Sequence, residues 1–172
     1  FESWPNHHVS ALIYLPDLDP KQHGPWPGIL FACGHSNNGK AYISYQKACA
    51  LLAQNGFVVL SYDPISQGER IQMPNASRHG TTAHTLLNIG ARLVGRSVVW
   101  YQAWDGIRAL DYLTNRSEVD KNKSIGMTGT SGGGTQTTFL MALDNRIGPA
   151  APSCYTMQRT SKFCGHSGPA DG

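Results

Sequence analysis

Ser124-Ile125-Gly126-Met127-Thr128-Gly129-Thr130-Ser131-Gly132-Gly133-Gly134 is a short β-type run that stops at a glycine-flanked serine, and Thr135 to Leu143 after it favour a helix. Gly129-Thr130-Ser131-Gly132-Gly133 reads as Gly-x-Ser-x-Gly, the signature of a sharp strand-to-helix turn that carries a nucleophile. A serine in such a turn takes up strained backbone angles, so the residues two before and two after it must be nearly free of side chain. The strain projects the hydroxyl outward. The helix that follows aims its N-terminal N–H groups and partial positive charge at any anion formed there. Glycine-rich turns also cradle phosphates or merely permit tight packing, and the apolar strand before this one and the helix after it favour the catalytic reading.

Working outward from the elbow, Val9 to Leu15 reads as a strand closed by Pro16, and Gly28 to Cys33 as a strand buried on both faces. A glycine-rich loop, Gly34 to Lys40, leads to a helix over Ser44 to Gln54, with Gly56 placed as its C-terminal stop. Phe57 to Tyr62 is the next buried strand and ends at Asp63-Pro64, followed by a loop with Gln67-Gly68-Glu69-Arg70. A helical region follows Thr82, and a long helix runs from Ser97 to about Asn115 with Trp100, Ala103, Trp104, Ile107 and Leu110 as its apolar stripe. Ile147 to Pro152 is a last short strand. Alternating strands and helices call for an α/β fold, a parallel sheet with helices on both faces. In such sheets the chemistry sits at the strands' C-terminal ends. Three loops meet there: Gly34 to Lys40, Asp63 to Arg70, and the turn at Ser131.

The 172 residues are about one domain's worth, and we read 1–172 as a single domain, the N-terminal portion of a longer protein. Fourteen basic and eleven acidic side chains leave a formal charge of +3 with no basic cluster among aromatics, which argues against a nucleic-acid partner. The longest apolar runs fall far short of the roughly 18 residues a membrane-spanning helix needs, so no membrane association is expected. Localisation and oligomeric state stay open, with the extracellular or periplasmic space favoured for the former. Cys33, Cys49, Cys154 and Cys164 follow no structural zinc spacing. The first two read as buried hydrophobes, and Cys154 with Cys164 would be able to pair in an exported protein.

The ordered set Cys33 to Lys40, Tyr62-Asp63-Pro64 with Gln67 to Arg70, and Gly126 to Gly134 resembles the α/β-hydrolase superfamily. More narrowly, it is similar to the acetyl-xylan-esterase-like and glucuronoyl-esterase-like branch of bacterial carbohydrate esterases, over nearly the whole chain from about Val9. The resemblance implies a serine esterase that acts on acyl esters of carbohydrate, a small-molecule or polysaccharide ester, without a cofactor. Ser131 matches the nucleophile and the backbone N–H of Gly132 one oxyanion donor. The second donor maps onto Gly34-His35-Ser36, with the His35 N–H as its source. Glu69 and Arg70 are expected to brace loops. The branch with an arginine directly after the serine is excluded by Gly132, and Ser153 to Thr156 offers no carboxylate where some glucuronoyl esterases place one.

In this family the acid and the histidine follow the serine, in later loops. His166 and Asp171 are the weaker candidates inside the chain, and the expectation is that the true pair lies beyond residue 172. The upstream histidines His7, His8, His23, His79 and His84 read as surface residues, and Asp105, Asp111, Glu118 and Asp120 as solvated or helix-bracing ones. Four other readings remain. Gly34 to Lys40 nearly matches a phosphate-binding P-loop, with Asp63 as a magnesium ligand, but Ala41 stands where Ser or Thr is required. The two Cys-x-His pairs at Cys33 and Cys164 are too tightly spaced for zinc, so no metal is expected. A peptidase or lactonase on the same fold, and a non-catalytic binding domain, complete the set.

Overall fold

A computed structural model describes residues 1–17 and 24–156. β1 (Glu2–Trp4) and β2 (His7–His8) form a small antiparallel hairpin. The main sheet has five strands in the order β3 (Ala11–Tyr14), β5 (Val58–Tyr62), β4 (Gly28–Ala32), β6 (Ile125–Thr130) and β7 (Ile147–Ser153). β5, β4, β6 and β7 run parallel, and β3 pairs with β5 antiparallel. The expected parallel sheet therefore carries one antiparallel edge, a common finish to a doubly covered sheet.

Strand β5 is buried at every position, as its mostly apolar run requires, and its one polar residue, Ser61, meets the Cys33 thiol at 3.3 Å. Alternation divides it between two cores. Val58, Leu60 and Tyr62 join Leu30, Met127, Leu110, Leu113 and Leu140 under α3 (Val98–Thr114) and α4 (Gly132–Leu143). Val59 joins Phe31, Tyr45 and Cys49 on the opposite face, under α1 (Ile43–Gln54). Gly56 has φ +88° directly after α1, where only glycine turns the chain without strain. Ser97 caps α3 by accepting the Trp100 N–H. α2 (Thr82–Leu93) packs along α3.

The buried stripe of α3 differs from the expected one. Val98, Gln102, Asp105, Gly106, Ala109, Leu110 and Leu113 face inward, while Trp100 and Trp104 lie half-buried beside Trp4 of β1. Ring centroids are 5.7 Å apart for Trp4–Trp100 and 5.2 Å for Trp4–Trp104, and the Trp104 Nε1–H donates to the Ser3 carbonyl at 2.8 Å. Two forces rotate the helix. The hairpin gives the tryptophans an amphipathic partner outside the core, and Asp105 finds a buried cation inside it.

Candidate active site

Strand β6 ends at Thr130 and α4 begins at Gly132, so Ser131 is the whole connection. Its backbone sits at φ 57°, ψ −118°, a region that L-residues rarely occupy, and its side chain is exposed. The two outer glycines permit this. A Cβ at Gly129 would lie 2.7 Å from the Gly133 carbonyl carbon, and a Cβ at Gly133 would collide with the carbonyl oxygen of Ala32 in β4. Two hydrogen bonds hold the turn from either side: the Ser131 N–H donates to the Ser153 carbonyl, and the Thr135 N–H to the Ser131 carbonyl, both at 2.9 Å. No side chain caps α4 and no acidic residue lies in its first turn, so the positive end of the helix is not neutralised locally.

The loop after β4 lies directly against this turn. Gly34 is packed so closely on the Thr130 carbonyl that a side chain there has no room, and the His35 ring comes within 2.8 Å of where a Gly132 Cβ would stand. Ser131, Gly132 and His35 are thus brought together, with Ser36 next along the same half-buried loop. His166, Asp171 and Cys164 lie outside the described residues.

The 63–70 loop fixes that arrangement from behind. Asp63 is fully buried and accepts from the Ser10 hydroxyl (2.7 Å), the Lys40 N–H (2.7 Å), the Lys40 ammonium (2.6 Å) and the Glu69 N–H (3.0 Å). Lys40 also pairs with Glu69. Burial works against the Lys40 charge, but the two carboxylates hold its pKa above the ordinary value. Arg70 donates to the Asp63 carbonyl and to the buried Asp105 carboxylate, both at 2.8 Å, and its other terminus meets His7 Nε2 at 2.7 Å. Glu69 and Arg70 act as the expected braces. With Lys40 and Asp63 locked on each other, neither is free for phosphate or magnesium, which removes the support for a P-loop.

Two sequence expectations change. Asp105 is not solvated but buried against Arg70. His84 is not a surface residue: it lies on α2, 3% exposed, with its Nε2 2.7 Å from the Ile65 carbonyl and its ring edge-on to His35 at 5.3 Å. Asp105 had a signal, since it shares the spacing of Val98, Ala109 and Leu113. His84 had none.

Cys33 and Cys49 are buried as expected, and burial pushes both thiols up to about 12. Cys154 is exposed just past β7, and hydrogen bonds from Ser153 and Thr130 hold its pKa below the ordinary thiol value. Among the described residues no group of three or more His, Cys, Asp or Glu converges on a point, and no helix is long and apolar enough to cross a membrane.

An elbow serine on a mostly parallel sheet with helices on both faces defines the α/β-hydrolase fold, and this chain has it. The Bacillus subtilis (strain 168) protein YtaP, named as a hydrolase, is 28% identical over 161 residues, which are 87% of this chain and 50% of YtaP. Methylesterase BT1017 is 31% identical with a TM-score of 0.63 over 84% of this chain and 28% of its own. A Bacteroides fragilis NCTC 9343 protein described as an acetyl xylan esterase candidate is 20% identical with a TM-score of 0.69, over 86% of this chain and 41% of its own. The chain thus spans half the length of YtaP and smaller shares of these two solved structures. No protein-family model matches it.

Proposed function

We propose that this chain carries the nucleophile and oxyanion machinery of a serine carboxylic-ester hydrolase, with an acyl ester of carbohydrate as substrate. The observation that carries the reading is the exposed Ser131 held at φ 57°, ψ −118° between a strand and the open end of a helix. Positive φ alone is shared with Asn6, Ser66 and Cys154; what sets Ser131 apart is that its exposed hydroxyl stands at the open end of α4.

On this reading Ser131 Oγ attacks the ester carbonyl carbon while a histidine takes its proton. The carbonyl π electrons move onto oxygen, where the N–H groups of Gly132 and His35 stabilise the charge. Collapse expels the alcohol, which takes the proton back, and water then frees the acid from the acyl-serine. The general base and its acid follow Ser131 in sequence, beyond the described residues.

The ester class draws support from Methylesterase BT1017, and carbohydrate acylation from the motif resemblance. A methyl ester is the second reading, favoured by that methylesterase likeness. Hydrolysis of acetylated xylan oligomers, set beside methyl esters of sugar acids and an amino-acyl amide, separates these readings. Turnover of the acetyl substrate that Ser131→Ala abolishes is expected. Faster turnover of the methyl esters would move the assignment to the second reading, amide cleavage to a peptidase, and none at all to a binding domain.

A further inference from the structure

Gln67 is 1% exposed, and the loop it serves is not its own. Its Nε2 donates to the Gly34 carbonyl at 2.8 Å and to the Ser36 carbonyl at 3.0 Å, the two carbonyls that flank His35. A half-turn of the amide would set Oε1 against both oxygens, so the two acceptors fix its orientation. The Gly34 carbonyl and the His35 N–H belong to one trans peptide, in which they point in opposite directions. Anchoring the carbonyl on Gln67 therefore turns the His35 N–H to the other side of the loop. Donation to a carbonyl also polarises the peptide it belongs to and strengthens its N–H as a donor.

Gln67 is itself held. Its N–H donates to the Pro64 carbonyl at 3.1 Å, and a Gly80 Cβ would lie 3.2 Å from its Oε1. His84 fixes the Ile65 carbonyl two residues before it. The Gly68 N–H adds a bond to the Asn37 carbonyl at 3.1 Å, so the loop's far end is tied to the same turn.

We infer that Gln67 is a positioning residue for the oxyanion site: its amide clamps the peptide whose N–H faces the charge developed on the Ser131 adduct. The inference rests on the reading of Ser131 as nucleophile. It differs from plain loop support in what it affects, because an oxyanion donor acts on the transition state and hardly on the bound ester.

The test compares Gln67→Met and Gln67→Asn with wild type in the full-length protein, using a 4-nitrophenyl ester as substrate and an alkyl trifluoromethyl ketone as tetrahedral mimic. Rates are normalised to the folded fraction measured by circular dichroism. The clamp predicts kcat/KM lower by about 10- to 100-fold, less than the loss of a whole donor, with KM within about twofold. The affinity for the ketone falls in parallel. Should Gln67→Met not fold, Gln67→Asn decides, since it withdraws the amide by one methylene and keeps its polarity. Equal kcat and ketone affinity in a folded variant, or loss confined to thermal stability, overturns the inference. Wild-type turnover that survives Ser131→Ala would instead remove the underlying reading.

Discussion

The Ser131 elbow and the Asp63 cluster follow the two strands that flank β4, at the same C-terminal end of the sheet, yet they are built from opposite materials. Around Ser131 the chain is shaped by what is missing: Gly129 and Gly133 have no side chain, and the carbonyl of Ala32 fills the space. Around Asp63 it is shaped by buried charge, with Lys40 paired to Asp63 and Arg70 to Asp105 across segments distant in sequence. Backbone sterics leave a short local pattern in the sequence. A buried charge network leaves only scattered polar residues.

The difference can be broken at either side. The largest expected effect is Asp105→Ala, which strands the Arg70 guanidinium in the core and should cost about 3–5 kcal/mol in urea denaturation. A loss under about 1 kcal/mol, the range of an exposed pair, would show that water reaches Arg70 and that the network is peripheral. Next comes Gly133→Ala, where the new methyl meets backbone that cannot rotate away. A loss of about 3 kcal/mol is expected, together with loss of ester turnover. Wild-type stability there would mean the elbow is looser than its geometry says.

That asymmetry also sets what was legible in advance. The elbow, the buried runs Gly28 to Cys33 and Phe57 to Tyr62, the start of the long helix at Ser97 and the stop at Gly56 are local events, governed by residues within a turn of one another. They were readable. The inward face of α3 was not, because the aromatic stripe looks like the core until the β1–β2 hairpin supplies Trp4 as its partner. The antiparallel direction of β3 and the burial of His84 likewise depend on segments far away in sequence. Of the candidate site, Ser131, Gly132 and His35 converge, whereas the clamp on the loop from Gln67 required three dimensions.

Smaller effects sharpen the contrast. Ser97→Ala removes a local cap that belongs to neither region and should cost about 1 kcal/mol in thermal denaturation without changing ester turnover. A larger loss, or a drop in turnover, would tie the start of α3 to the site. The smallest perturbation is chemical. At pH 8 the Cys33 and Cys49 thiols, pushed up to about 12, stay protonated, whereas Cys154 is exposed with its thiol held below the ordinary value. Raising the pH toward 8 should therefore speed alkylation of Cys154 while the other two remain unmodified until the protein unfolds, read by peptide mapping after iodoacetamide. Modification of Cys33 in the folded protein would mean the β4 loop opens.

The central claim is that Ser131 is an activated nucleophile, and intact-mass spectrometry of the full-length protein after a fluorophosphonate tests it most directly. One adduct per chain, absent from Ser131→Ala, is the predicted result. A folded protein that gains no adduct, or gains one that persists in Ser131→Ala, would contradict it.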